Sequence, residues 1–216
     1  MVIKEICGLE VEDDGVVFLP ETVHGEEIRE DQEYAGVRLQ LVARIAGARI
    51  SLQIDVGFGD DVYPEPQEAD YPTVLAFQAP RIRVYPRESV VSEKYHALVS
   101  LGIANSRMKD YFDMWTLAKT FPFEGEMMSR AFEVTFLRRR TAVPSSIPMG
   151  LSDEFCDDVG KQTQWRAFLQ KGRLVEGKLS LREVAEFLRT FLMPPSTAVA
   201  RNKRFELRWP VAGPWA

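Results

Sequence analysis

Between Val37 and Val56 the apolar residues alternate with polar ones, and this alternation restricts the fold more than any other feature of the chain. Val37, Leu39, Leu41, Ala43 and Ile45 form one row; Ile50, Leu52, Ile54 and Val56 form a second. A period of two places each row on one face of a strand, and two such runs joined by a short glycine-containing break make a hairpin. Ala46-Gly47-Ala48 supplies the break. A two-residue Gly47-Ala48 loop sets Ile45 opposite Ile50 and Leu41 opposite Ile54, so both apolar rows share a face. Arg38, Gln40 and Arg44 then line the other face with Ser51, Gln53 and Asp55. Asp55 falls near the end of its strand, on the polar side, just before Gly57-Phe58-Gly59.

Strand signals extend to about Tyr85. Val16-Val17-Phe18 reads as a short strand ended by Pro20, because proline cannot donate to a ladder. Pro64, Pro66 and Pro72 mark an irregular connection with an extended piece around residues 73–77, and residues 81–85 read as a last strand. After Pro86 the apolar period becomes helical. The spacing predicts helices over residues 88–101, 107–120, 126–138, 153–169 and 181–192. Ser106 and Ser152 stand as N-caps, and Ser180 with Glu183 forms a capping box for the last helix, which Pro194-Pro195 should stop. The tail, with Trp209, Pro210, Pro214 and Trp215, is expected to be extended and packed on the body. The fold class expected is α+β, with a β-rich part over residues 1–85 and a helical part over residues 86–216.

Charge is unevenly spread along the 216 residues, whose net charge is −5. Up to Ala35 there are eleven carboxylates against Lys4 and Arg29. Basic groups gather later, at Arg81, Arg83 and Arg87, at Arg138-Arg139-Arg140, and at Arg201, Lys203 and Arg204. Each cluster reads either as solvated surface or as a phosphate-facing patch, since nucleic acid responds to the local field. No apolar run approaches the roughly 18 residues that span a bilayer, and the N-terminus has no basic flank leading into an apolar stretch. Two cysteines, Cys7 and Cys156, match no metal spacing and fit a reducing compartment, so a cytoplasmic location is expected.

Lys94 interrupts an apolar stripe. On the helix over residues 88–101, Val90, Val91, Ala97, Leu98 and Leu101 share a face, and position 94 falls within it. A lysine there must snorkel outward, pair with an acid, or present its ammonium to a site. His96 lies off the stripe and reads as a surface residue, and His24 sits in an acidic stretch. Further on, Arg107, Asp110 and Asp113 project from one helix face at three-residue spacing, amid the apolar Met108, Phe112 and Trp115. Capping and ion pairing account for such charges, as does a site facing Lys94.

Three segments taken in order, Leu52-Gln53-Ile54-Asp55-Val56-Gly57-Phe58-Gly59-Asp60, Ser92-Glu93-Lys94 and Asn105-Ser106-Arg107-Met108-Lys109-Asp110 through Asp113, resemble the AbiEii family. These are nucleotidyltransferase toxins of type IV toxin–antitoxin (abortive infection) systems, with a DNA polymerase β-like fold. The resemblance runs from about Val11 to the last helix. It implies a mixed sheet of nucleotidyltransferase type, here incomplete, followed by a helical bundle. It implies transfer of a nucleotide from an NTP to an acceptor such as tRNA, Mg²⁺ as cofactor, and a cognate antitoxin as partner. Residue by residue, Asp55 matches the strand aspartate that holds metal. Lys94 matches the helical lysine expected on nucleotide phosphate, and Asp110 matches the aspartate of the R-x-K-D motif, flanked by Arg107 and Lys109. On that reading Asp110 and Lys94 are catalytic, while Lys94, Arg107 and Lys109 hold the nucleotide. Asp110 would act as general base or as an anchor for Lys94. Lys94→Ala and Asp110→Ala are each expected to abolish toxicity in a full-length form with little loss of fold.

The sequence departs from the family in one respect. Members open with Gly-Ser followed by an Asp-x-Asp strand, and this chain contains neither pattern. Glu12, Asp13 and Asp14 precede a Gly15 turn and do not replace it. The resemblance therefore implies an N-terminally shortened member, either because Met1 is a misassigned or internal start or because the protein is natively short. The alternative to an enzyme is a catalytically incomplete relative that binds antitoxin, RNA or, through an uncovered sheet edge, itself.

Overall fold

The hairpin forms, with its loop one residue earlier than expected. The computed structural model describes residues 2–30, 34–58, 62–74, 76–173 and 179–216. Strands β2 (Tyr34–Ile45) and β3 (Ala48–Gly57) pair antiparallel with Ile45 opposite Ala48, Ala43 opposite Ile50 and Leu39 opposite Ile54. Ala46 and Gly47 form the loop, with φ of 45° and 88°. Two positive φ values make the primed turn whose twist matches the strands, and Gly47 takes the more demanding one. The expected Gly47-Ala48 loop gives way to this turn, and the pairing shifts by two residues. A shift of two leaves every side chain on its face. Arg38 therefore lies directly opposite Asp55.

Strand β1 (Val16–Glu30) runs far beyond Pro20 and pairs with β2 to complete a sheet of order β1-β2-β3. Pro20 is accommodated in an irregularity between Leu19 and His24. There the Thr22 hydroxyl donates to Leu19 O at 2.7 Å and accepts from Val42 N at 2.9 Å, replacing ladder bonds by a side chain. Helix α1 (Val2–Cys7) contacts β1. These elements make up one compact unit, Met1–Asp60.

The second unit, Asp61–Ala216, holds a two-stranded ribbon and the helices. β4 (Gln67–Asp70) pairs with β5 (Arg81–Val84), so the strand partner lies before the piece expected around residues 73–77, where Leu75 lies outside the described residues. Helices α2 (Arg87–Leu101), α3 (Met108–Thr120) and α4 (Gly125–Arg138) follow the predicted periods. The helix expected over residues 153–169 is two, α5 (Asp153–Asp157) and α6 (Val159–Gly172). Asp158 parts them: its backbone is extended and its carboxylate accepts from Lys161 N at 2.8 Å, capping α6. Every strand pairing among the described residues is antiparallel, and the chain is α+β.

Helix α7 (Leu181–Ala200) does not stop at Pro194-Pro195. A proline at 195 cannot donate to the carbonyl of Phe191, and Trp215 Nε1 donates to that oxygen instead, at 2.9 Å. The tail is thus built into the helix it crosses. β7 (Arg208–Trp209) pairs with β6 (Phe123–Glu124), and Trp209 Nε1 donates to Ala118 O at 2.8 Å. One apolar core joins α2, α3, α4, α5, α6 and α7 through Tyr95, Tyr111, Phe132, Phe155, Trp165 and Phe191.

Candidate functional site

Helices α2 and α3 bring Lys94 and the aspartates together. α2 is buried on two sides: Ser92 donates to Ala131 O on α4 at 2.9 Å, and this short polar contact lets the helices approach closely. His96 is also buried, contrary to its expected surface place. Its Nε2 lies 3.1 Å from both Thr141 Oγ1 and Ser100 Oγ, and its ring meets Phe136 edge-on. Burial first, and the nearby Arg139 charge second, push its pKa down to about 4.

Lys94 points from α2 toward α3, where its ammonium donates to Asp110 Oδ1 at 2.6 Å and to Asp113 Oδ2 at 2.8 Å. Lys109 donates to the same Asp113 oxygen at 2.6 Å. Asp110 is buried, and its Oδ2 accepts no hydrogen bond. Arg107 Nε stands 2.7 Å from that oxygen as an ion pair, without the alignment of a hydrogen bond. Three cations thus surround two carboxylates. Desolvation works against the charge on Lys94, but the hydrogen bonds to Asp110 and Asp113 outweigh it and raise its pKa. Desolvation also opposes the charge on Asp113, and hydrogen bonds from Lys109 and Lys94 outweigh it and lower its pKa. Lys94 remains a cation with one of its three protons uncommitted to the aspartates, its side chain 17% exposed.

The first turn of α3 is held from below by a residue the motif only brushes. Asn105 is buried; its Oδ1 accepts from Arg107 N at 2.9 Å, its Nδ2 faces Tyr111 Oη at 3.5 Å, and its carbonyl accepts from Lys161 Nζ at 2.9 Å. Ser106 does not cap α3: Arg107 holds the N-cap position, no side chain caps the helix, and Asn105 instead fixes the Arg107 amide just before it. Tyr111 in turn donates to Gly150 O at 2.8 Å. A Cβ at Gly150 would lie 2.8 Å from Leu98 and 2.9 Å from the Tyr111 hydroxyl, so only glycine fits there. Asp113, visible in the sequence only as a third charge at helical spacing, is the second clamp on Lys94. Lys161 carried no signal, because its partner is a backbone carbonyl far away in the chain.

Asp55, on β3, is occupied. Arg38 grips it with two bonds, Nε to Oδ1 at 2.9 Å and Nη2 to Oδ2 at 3.0 Å, and Gln53 Nε2 lies within 3.2 Å of both oxygens. Hydrogen bonding to Arg38 leads the effects that hold its pKa below the usual carboxylate value. Asp13 and Asp14 accept from Gly15 N and Val16 N, each at 2.9 Å, so they shape a turn. Among the described residues no three His, Cys, Asp or Glu side chains gather as metal ligands. The described residues do not fit a two-Mg²⁺ centre.

The chain is α+β, and its partly buried Lys94 is clamped by two aspartates of α3 beside Arg107 and Lys109. The model of the nucleotidyl transferase AbiEii toxins of type IV toxin–antitoxin systems matches residues 1–189, and the chain belongs to that family. No curated protein and no solved structure matches it. The family carries with it a nucleoside triphosphate substrate, a divalent metal and an antitoxin partner in general terms. Among the described residues no helix is long and apolar enough to cross a membrane.

Proposed function

We propose that this chain binds a nucleoside triphosphate at the Lys94 cluster and passes its nucleotide to an RNA acceptor such as tRNA. The observation that carries this reading is the clamp itself: two aspartates fix Lys94 in place while one of its protons stays available, with Arg107 and Lys109 alongside. A fixed ammonium and a nearby guanidinium are suited to phosphate oxygens. In the transfer, an acceptor hydroxyl attacks the α-phosphorus, the bond to pyrophosphate breaks, and the hydroxyl proton goes to a base. Asp110 is the base in this reading: its Oδ2 accepts no hydrogen bond, and it becomes reachable when Arg107, which covers it at 2.7 Å, turns to the phosphates. Lys94, Arg107 and Lys109 offset charge on the departing pyrophosphate. No step is assigned to Mg²⁺, because Asp55 is held by Arg38 and Gln53.

That same occupancy favours a second reading, a relative that binds nucleotide, RNA, antitoxin or a second copy without transferring anything. Label transfer separates the two. The chain is incubated with each α-labelled nucleotide and total bacterial RNA, with and without Mg²⁺. Labelled RNA that disappears with Lys94→Arg supports the transferase. Nucleotide binding without label on RNA supports the module, and absence of both removes the Lys94 assignment. Lys94→Ala is the poorer probe, since it leaves Asp110 in the interior with Arg107 as its one remaining cation among the described residues.

A further inference from the structure

Lys161 is a buried cation that meets no carboxylate among the described residues. It is 8% exposed, its ammonium makes no ion pair among the described residues, and it lies in the first turn of α6, where the helix dipole disfavours positive charge. Its contacts are the Asn105 carbonyl, at 2.9 Å, and the face of Phe155, with Nζ 5.4 Å from the ring centre. One hydrogen bond and one ring leave such a charge incompletely compensated, and an apolar side chain of the same length would cost the fold little. Fold stability alone therefore gives a weak account of an ammonium at this place.

Its partner gives a better one. Every polar group of Asn105 is committed: N to Gly102 O at 3.2 Å, Oδ1 to Arg107 N, Nδ2 toward Tyr111, and the carbonyl to Lys161. Asn105 is the fixed point from which Arg107, Lys109 and Asp110 spring within five residues. We infer that Lys161 is a positioning residue: by gripping the Asn105 carbonyl it sets the first turn of α3, and so the approach of Asp110 and Arg107 to Lys94. In its functional consequence the inference rests on the Lys94 cluster being the nucleotide site.

The test compares Lys161→Met, which keeps length and removes the charge, with Lys161→Arg, which keeps a cationic donor, in the full chain. Three quantities are measured: thermal midpoint, water exchange of the Lys94 ammonium followed by its ¹H–¹⁵N signal, and affinity for ATP. Lys161→Met is expected to stay folded and melt within a few degrees of wild type, because relief of a buried charge offsets the orphaned Asn105 carbonyl, to exchange the Lys94 protons faster, and to lose about tenfold in ATP affinity. Lys161→Arg should recover part of both losses. Unchanged Lys94 exchange in a folded Lys161→Met variant overturns the inference. So does unfolding of both variants, because Lys161 would then hold the fold rather than the cluster. Failure of the wild-type chain to bind ATP overturns the nucleotide reading alone, and Lys94 exchange still decides the positioning role.

Discussion

Lys94 and Asp113 are both partly withdrawn from water, which by itself would discourage charge on each, yet each is driven further into its charged form by the hydrogen bonds they share. The sign of the pH dependence follows. Asp113, lowered when folded, contributes stability above its unfolded pKa and loses it as pH falls through the folded value; Lys94, raised, contributes below its unfolded pKa and loses it as pH rises through the folded value. The clamp is thus complete across neutral pH. His96 is what weakens the fold on mild acidification. Its folded pKa of about 4 lies below the ordinary 6.5, so its contribution is full above pH 6.5 and drains away toward pH 4. Between pH 7 and pH 5 that amounts to about 2 kcal/mol. Urea unfolding at the two pH values measures it, and His96→Gln should flatten the slope; an unchanged slope would remove His96 as the acid-sensitive group. Lys94→Ala should cost about 3 kcal/mol at pH 7, because a buried carboxylate loses its partner. Lys94→Ala combined with Asp110→Asn should recover part of that loss in the same urea titration. No recovery would mean that the stranded charge is not the source of the cost.

What could be read from the sequence differs by element, and α7 shows why. Its amphipathic face and its Ser180–Glu183 capping box are local, and both are present, with Ser180 Oγ accepting from Glu183 N at 3.2 Å. Its end was misplaced because the group that rescues the proline break, Trp215, lies in the tail. β1 fails in the same way at Pro20, where Thr22 supplies bonds that no propensity reports. The hairpin faces were legible from alternation, whereas its loop depended on which residue accepts a positive φ. In the site, Lys94 and the α3 charges were legible because apolar periodicity makes an intruding charge conspicuous. The clamp geometry, the grip on Asn105 and the occupied state of Asp55 depend on contacts between distant residues. Trp215→Phe probes the rescue directly: the ring can still stack on Phe191, now parallel at 5.9 Å, but the indole donor is gone. An orphaned carbonyl should cost about 1–2 kcal/mol, with faster amide exchange beyond Phe191. Unaltered exchange there would show that α7 crosses the prolines without the tail.

At the scale of the whole molecule the chain is two unequal units. The core cluster of aromatic and aliphatic residues lies entirely within Asp61–Ala216, from Val91 to Trp209, with Trp215 packed against it. Met1–Asp60 is a three-stranded sheet with one short helix, and its Phe18, Ile45, Ile50 and Ile54 remain between 36% and 42% exposed. A unit of this size buries too little apolar surface to be robust by itself. The larger unit contains the complete Lys94–Asp110–Asp113 clamp, the Asn105 support and the tail that completes α7, so its fold should not depend on the sheet. A chain comprising residues 61–216 is therefore expected to unfold cooperatively, near the temperature at which the full chain loses its helical signal. Residues 1–60 alone should show little cooperative melting. The same truncation separates the clamp from Asp55: if residues 61–216 bind ATP as tightly as the full chain, in EDTA as well as in Mg²⁺, nucleotide capture belongs to the clamp without a metal. Loss of binding in the well-folded truncated chain would instead assign part of the site to the sheet unit.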